Sequence, residues 1–496
     1  MTAKIAVLAD LGQDLYHAGD EAMGHAAADE LLARGFEVLL LSRNPEQTQR
    51  LFGAGAAATL PFPWPPAERE AYLKSIREHL SGTAPLPAGD PALTLIAELQ
   101  KCDGVVIAGG GNLNSRYGWL LHERAAVVAV ARSLGKPVVI SGQTLGPQLT
   151  GVDAGILADM FEAANLCSVR ERSSAELCRR LGVRAVSGLD DASFLAFGGG
   201  TAGKDAGKEA SGLNLPETGY VAVTVAPHSG NPENFHELLG AQLDALHART
   251  GLATVFLPHF GVGTEDSCDR ETHARIAACM SSPRRQLPVL PARDVAAVTA
   301  GASLVATTRY HPAVFALSSA VPVAALTVDN YSGARLAGVM ANWGLADFVV
   351  PLPALSDGTL AEALAETWQR REEISAHLEE LQQSRRAWFA QWWDGVAAVL
   401  SGSKDASAAV EELAPARALR AAGPWHAAVQ EVAAGFHGRS AVAAQTDVEE
   451  DRLRSYAVQR DRELEALQAE HQRLLNSRTV KAALSAHRLY AKILRR

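Results

Sequence analysis

Residues 302–325 read Ala302-Ser-Leu-Val-Ala-Thr-Thr-Arg309-Tyr310-His311-Pro312-Ala-Val-Phe-Ala-Leu-Ser-Ser-Ala-Val-Pro322-Val-Ala-Ala325. Ser303 to Thr307 is a short apolar run suited to a buried parallel strand, and Pro312 falls where the first turn of a helix tolerates it. Val314, Phe315, Leu317 and Val321 carry a helical apolar stripe, which Pro322 ends ahead of another apolar run. Arg309, Tyr310 and His311 therefore stand on the turn between a strand's carboxyl end and a helix's amino end. In open α/β sheets that edge is where ligands bind. A guanidinium fork and an imidazole beside free helix N–H groups suit an anion. The same pair equally suits a surface Arg on a turn and a His satisfied by backbone, and this stretch alone leaves both open.

Working outward, the same alternation fills both halves of the chain. Lys4 to Leu8 is a strand, a helix follows from about Asp20 to Ala33, and Phe36 to Leu41 is the next strand, with Gly19 at the turn. Asp20 and Glu21 open that helix, where the dipole alone favours acids. Gly55 to Asp90 is richer in Pro and reads as a variable insertion with one amphipathic helix, Ala67 to Leu80. Asp103 to Asn112 is a strand running into Gly109-Gly110-Gly111. Three glycines permit close approach of a ligand or of a neighbouring backbone. No GxGxxG fingerprint or phosphate-loop lysine accompanies them. Helix 119–134, strand 137–141, the loop Gly142-Gln143-Thr144-Leu145-Gly146-Pro147 and strand 166–169 come next. Arg170 lies just past that last strand, and Ser173 or Ser174 is the expected cap of the following helix. Strand 185–188 leads into Asp190-Asp191-Ala192-Ser193-Phe194. Strands and helices alternating at this spacing imply a doubly wound parallel sheet.

Gly198 to Gly212 has no periodicity and reads as an interdomain linker. Beyond it the pattern restarts at Tyr220, passes through the opening stretch, and reaches Asp329-Asn330-Tyr331-Ser-Gly-Ala-Arg335. Two α/β halves would face each other across a cleft, a common place for ligands. The expected boundaries are 1–197 and 219–400 for the domains, 198–218 for the linker, 401–446 for a low-complexity tether and 447–496 for a charged helical tail. Trp388, Trp392 and Trp393 are candidate anchors packing back on the first domain.

The chain has 496 residues, 48% of them hydrophobic and 20% charged, which is the composition of a globular protein with ample core. A net charge of −9 gives nucleic acid no general footing, so any anion site must be built locally. Five cysteines without a CxxC pair suit a reducing compartment and disfavour a structural zinc site. No window reaches the roughly 18–20 apolar residues of a membrane span. A cytoplasmic protein is expected. Asp447 to Leu475 has an interrupted heptad suited to a short self-association. Residues 476–496 hold six Lys or Arg and no acid, which reads either as an interfacial helix for anionic lipid or a partner, or as a solvated basic end.

Taken together, Gly19-Asp20-Glu21-Ala22, Gly109-Gly110-Gly111-Asn112, Gly142-Gln143-Thr144-Leu145-Gly146-Pro147, Ser168-Val169-Arg170-Glu171, Asp191-Ala192-Ser193-Phe194 and Thr308-Arg309-Tyr310-His311-Pro312-Ala313 resemble the polysaccharide pyruvyl transferase family. The resemblance covers Met1 to about Trp393. It implies two Rossmann-like domains in a GT-B-like arrangement. It also implies transfer of a pyruvyl group from phosphoenolpyruvate to two hydroxyls of a sugar or lipid-linked oligosaccharide, with no cofactor and no metal. By the same resemblance Arg170 and Arg309, with Gly110, Gly111 and Gln143, would hold phosphoenolpyruvate. His311 would be acid or phosphate contact, and Asp20 would orient or deprotonate a sugar hydroxyl. Outside the resemblance, the segregated basic charge of 476–496 leads to the expectation of a tail at the inner face of the plasma membrane, where it would meet lipid-linked acceptors.

Two departures concern the acceptor more than the donor. Many members have Gly-Gly-Gly-x-Leu followed by a short acidic turn, whereas here Gly111 leads into Asn-Leu-Asn-Ser-Arg-Tyr, and many carry a lysine after the aromatic of the late loop, where this chain has Tyr331-Ser-Gly-Ala-Arg335. Two other classes stand beside this reading. One is a GT-B glycosyltransferase using a nucleotide sugar, disfavoured because no Glu occurs between Glu271 and Glu362. The other is a non-catalytic binding relative, disfavoured by the joint presence of Arg170, Arg309 and His311.

Overall fold

The computed structural model describes residues 2–197, 212–261, 268–403, 410–477, 479–483 and 486. Its first sheet comprises β1 (Lys4–Leu11), β3 (Glu37–Ser42), β4 (Gly55–Ala58), β5 (Gly104–Ile107), β6 (Gly110–Leu113), β7 (Val138–Leu145), β8 (Leu166–Val169) and β9 (Val186–Ser187), after a short β2 (Tyr16–His17) that lies outside it. The order is β4-β3-β1-β5-β7-β8-β9, with β6 also paired to β7, and every pairing is parallel. The second sheet has β10 (Tyr220–Thr224), β11 (Ala253–Phe256), β13 (Arg284–Gln286), β14 (Leu304–Thr307), β15 (Val323–Thr327) and β16 (Val349–Pro351), while β12 (Phe260–Gly261) pairs elsewhere. Its order is β13-β11-β10-β14-β15-β16, again parallel.

Both sheets are doubly wound. The strand order reverses between β1 and β5 in the first domain and between β10 and β14 in the second, so each has a crevice at its carboxyl edge. The opening stretch lies beside the second crevice. β12 pairs antiparallel with β2, Phe260 opposite His17 and Gly261 opposite Tyr16, and this two-stranded ribbon joins the domains. The central strands are buried on both faces, as Val, Ile and Leu runs between two helix layers require.

Several expectations are corrected. The variable insertion expected from Gly55 opens with an edge strand of the first sheet, Gly55–Ala58, and Gly142 to Leu145 continue β7 rather than forming a loop. Ser174 does not cap: the N-cap is Glu171, and the Ser174 hydroxyl accepts from Leu145 N at 2.9 Å. The helix after β14 is Tyr310–Ser318, so Val321 lies beyond it. The tether expected over 401–446 is replaced in its second half by structure. A single helix of 52 residues runs from Trp425 to Asn476, through the expected boundary at 446/447. Its root is buried: Trp425 and Val429 join the core of the second domain, and Trp425 Nε1 donates to Glu366 Oε2 at 2.7 Å. The linker residues 198–211 and most of the basic tail lie outside the described residues.

The helix Arg371–Leu400 starts in one domain and ends in the other. Ile374 and Leu378 pack with Trp343 and Phe348 of the second domain. Trp388, Trp392 and Trp393 pack with Ile5, Val7 and Val139 behind the first sheet, as the sequence predicts. Burying each indole removes roughly 150–250 Å² from water, enough to hold the crossing helix on the first domain. Among the described residues no helix is long and apolar enough to cross a membrane.

Candidate functional site between the domains

The carboxyl ends of β5, β7, β8 and β9 meet the amino ends of two helices from the second domain, Tyr310–Ser318 and Asn330–Asn342. Arg170, one residue past β8, is 1% exposed. Its Nε donates to Thr144 Oγ1 at 2.8 Å and to Glu171 Oε1 at 3.1 Å, and its Nη1 donates to Asp190 Oδ2. The guanidinium lies over the Tyr310 ring at 4.3 Å. Its remaining nitrogen, Nη2, is buried without a partner. Burial pushes both Asp190 and Glu171 up, against the pull of the Arg170 charge, while Tyr310 and the two carboxylates hold Arg170 charged despite its burial.

A second guanidinium reaches the same point. Arg335, in the second turn of the Asn330–Asn342 helix, lies 3.8 Å over the Tyr331 ring, and its Nε is buried without a hydrogen-bond partner. A Cβ added at Gly111 would stand 2.8 Å from Tyr331 Oη, 3.2 Å from Arg335 Nη1 and 3.3 Å from Arg170 Nη2. Gly111 is glycine because three polar groups from two domains converge on its Cα. Gly110 and Gln143 form the floor. Gln143 is wholly buried, its Nε2 donating to Ala108 O at 2.5 Å and Ser141 O at 3.0 Å, with Oε1 unpartnered. Behind them Asp191 accepts from Gly109 N at 2.7 Å and Ser141 Oγ at 2.5 Å, and burial raises it to about 7.

His311 sits opposite. Its Nε2 has no hydrogen-bond partner and lies 3.8 Å from Asp190 Oδ2. A Cβ at Gly19 would come within 1.9 Å of its Nδ1, so only glycine lets the first domain's Ala18–Ala33 helix approach the ring. Burial, reinforced by the charge of Arg170 and by His17, His259 and Arg335, holds its pKa well below the ordinary value. The imidazole is therefore neutral at neutral pH.

Asp20 is inside its helix rather than at the cap: the N-cap is His17, whose Nδ1 accepts from Asp20 N at 3.3 Å. Asp20 Oδ2 accepts from Gln13 Nε2 at 3.2 Å, and its charge adds to the upward push on Asp190.

Arg309 is engaged elsewhere. It forks onto Asp269 through Nε at 2.8 Å and Nη2 at 2.5 Å, and Asp269 Oδ2 also accepts from His259 N and Phe260 N. Arg309 thus braces the β12 ribbon, and the guanidinium beside Arg170 is that of Arg335. Sequence reading assigns no role to Arg335, Tyr331, Asp190, Glu171 or Thr144. The signal was present in part, since Glu171 and Thr144 lie inside quoted motifs and Arg335 marks a departure.

Two doubly wound domains with a polar site in the cleft between them define a protein of the GT-B-like class. The family model for polysaccharide pyruvyl transferase matches residues 17–330, and the chain belongs to that family. A search of curated proteins finds no match. Among solved structures, one from Listeria monocytogenes, described as a UDP-N-acetylglucosamine 2-epimerase, aligns with a TM-score of 0.51 at 11% identity, covering 83% of this chain and 99% of its own. Anabaena HepE in complex with UDP and glucose aligns with a TM-score of 0.50 at 15% identity, covering 81% of this chain and 100% of its own. At these identities the likeness establishes the fold alone.

Proposed function

We propose that the chain transfers the pyruvyl group of phosphoenolpyruvate to two hydroxyls of a sugar, forming a cyclic ketal and releasing phosphate. The observation that carries this is the convergence of two guanidinium groups on the Gly111 backbone, Arg170 through its buried, unpartnered Nη2 and Arg335 through Nη1, with Arg335 Nε also buried and unpartnered. A donor with a phosphate and a carboxylate supplies the acceptors these forks lack.

Phosphoenolpyruvate gains a proton at its methylene carbon while one sugar hydroxyl adds to the neighbouring carbon and gives up its proton. The C–O bond to phosphate then breaks, and the second hydroxyl closes the ketal, its proton leaving with phosphate. His311 and Asp190, 3.8 Å apart, are the proton-carrying pair at this point. An anionic donor next to His311 opposes the burial and the Arg170 charge that depress it, and so raises its proton affinity when substrate is bound. Asp20, held by Gln13 and His17, is the group for the sugar hydroxyl. Arg309 acts at a distance, positioning the ribbon that carries His259.

Within the same reading the basic residues of 476–496 attach the enzyme to an anionic membrane surface carrying lipid-linked acceptors, and vesicle sedimentation at low and high salt tests that part. The reaction itself is tested by incubating purified protein with phosphoenolpyruvate and candidate sugars and measuring phosphate. Phosphate release that requires both substrates supports the proposal. Turnover of a nucleotide sugar without phosphoenolpyruvate turnover would replace it with glycosyl transfer.

A further inference from the structure

The helix Trp425–Asn476 lies beyond the family match and crosses from the second domain to the first. Ser440 Oγ accepts from Asn330 N at 2.9 Å, and the Gln445 amide pairs with Leu149 N and O at 3.1 and 2.9 Å. Between this helix and the segments it touches runs an open cavity of ≈ 590 Å³. Its walls mix apolar surface from Pro147, Val442 and Leu453 with the amides of Gln148 and Asn330 and the carboxylates of Glu449 and Glu450. Among the described residues no Lys, Arg or His lines it.

Two features tie this groove to the cleft. Pro147 closes the segment that supplies Gln143 and Thr144, and Asn330 immediately precedes Tyr331, whose hydroxyl meets Gly111. Gln148 lines the groove, is 2% exposed, and has a buried Oε1 with no hydrogen-bond partner. Val442 and Leu453, by contrast, are 70% and 65% exposed.

Resting on the pyruvyl-transfer reading, we infer that this groove is a subsite for the neutral sugar residues that precede the modified one in an oligosaccharide acceptor. Pyranose rings present C–H faces to Val442, Leu453 and Pro147 and hydroxyls to the amides and carboxylates. Two acids, with no cation among the described lining residues, make the groove a poor host for the donor or for a pyrophosphate. The long helix thus selects extended acceptors over single sugars.

The test uses the full chain and a panel of neutral β-linked hexose oligosaccharides of one to five residues. For each, kcat/KM is measured with saturating phosphoenolpyruvate. The pentasaccharide is also titrated calorimetrically without donor. Wild type should favour the pentasaccharide over the monosaccharide. Val442→Trp, which fills the groove from an exposed position, should lower that preference about tenfold, mainly through KM, and weaken pentasaccharide binding. Val458→Trp, exposed on the same helix outside the groove, should leave the preference at the wild-type value. A wild type indifferent to length, or a Val442→Trp variant with undiminished preference and binding, overturns the subsite. If no panel member yields phosphate, pyruvyl transfer falls, and the titrations still decide the groove: binding lost in Val442→Trp sustains it, binding absent or unchanged refutes it.

Discussion

Tyr331 of the second domain donates from its hydroxyl to the carbonyl oxygen of Gly111 in the first, at 2.5 Å, across the cleft. The bond joins the glycine segment to the helix that carries Arg335, so it sets the distance between the two guanidinium groups. Tyr331→Phe keeps the ring under Arg335 and removes only the hydroxyl. Losing a buried hydrogen bond costs about 1–3 kcal/mol where the partner is left unsatisfied. The expected outcome is a rise in KM for phosphoenolpyruvate of roughly tenfold, with Tm lowered by a few degrees. An unchanged KM would show that the cleft closes without this bond.

Arg170 and Arg335 should respond differently to substitution. Arg170 is buried with two carboxylates, so Arg170→Ala leaves them uncompensated and should destabilise the fold by about 3–5 kcal/mol. Among the described residues Arg335 is held by the Tyr310 and Tyr331 rings rather than by a carboxylate, so Arg335→Lys should fold normally and lose donor affinity, because an ammonium lacks the planar fork. Thermal unfolding with and without phosphoenolpyruvate separates the cases. A normal donor-induced shift in Arg335→Lys would remove Arg335 from the site.

The approach of Gly19 to His311 is a joint test of packing and chemistry. A methyl at position 19 would press on the ring 1.9 Å from Nδ1, and overpacking of this kind costs roughly 1–3 kcal/mol. Gly19→Ala should therefore be both less stable and much less active. His311→Asn should fold and lose about 10²–10⁴-fold in kcat. If His311→Asn retains near-normal turnover, the imidazole transfers no proton.

How much of this was legible follows from what each residue reports locally. The strand and helix flanking Arg309 are legible because an apolar run and a Pro in the first turn are local signals. That Arg309 turns away to Asp269 is not, since Asp269 lies forty residues earlier on another helix. Arg335 is hidden for a related reason: which face of the Asn330–Asn342 helix meets Gly111 depends on how two domains dock. Residues 425–446 mislead in another way. Their Ala and Gly content resembles a tether, yet Ala is the strongest helix former, and docking of Trp425, Val429 and His437 stabilises the helix.

Glu21 predicts a pH effect. It is 2% exposed, its Oε1 accepts from Gly12 N at 3.1 Å, and Oε2 has no partner. Burial, with smaller pushes from Asp20 and Asp10, raises its pKa to about 7 from an ordinary 4.5. A carboxyl raised on folding contributes stability that is fully present below its unfolded pKa and is lost as pH rises through the folded one. Glu21→Gln removes this titration. The Tm of wild type minus that of the variant should therefore fall between about pH 5 and pH 8. A flat or rising difference across that window would show that Glu21 is not held protonated.

The long helix should exchange its amide hydrogens in steps along its length. Its root is fixed by Trp425 on Glu366, its middle by Ser440 and Gln445, and its next turns by Glu70 of the Pro66–Leu80 helix, which receives Arg452 Nε at 3.2 Å and the Tyr456 hydroxyl. Arg462 reaches Glu68 at 3.0 Å, and from Glu463 to Leu474 every residue is exposed. Helix that buries no face lacks the packing that stabilises helices in proteins, and local opening follows the same gradient. Hydrogen exchange should be slow to about residue 445, intermediate to 462 and fast beyond. Glu70→Ala removes the partner of Arg452 and Tyr456 while leaving Arg462 on Glu68 and Ser455 on Ala67 N, so exchange should quicken between about residues 446 and 462 while the root stays protected. Uniform exchange along the helix, or no change in Glu70→Ala, would mean that a different contact holds the crossing segment against the first domain.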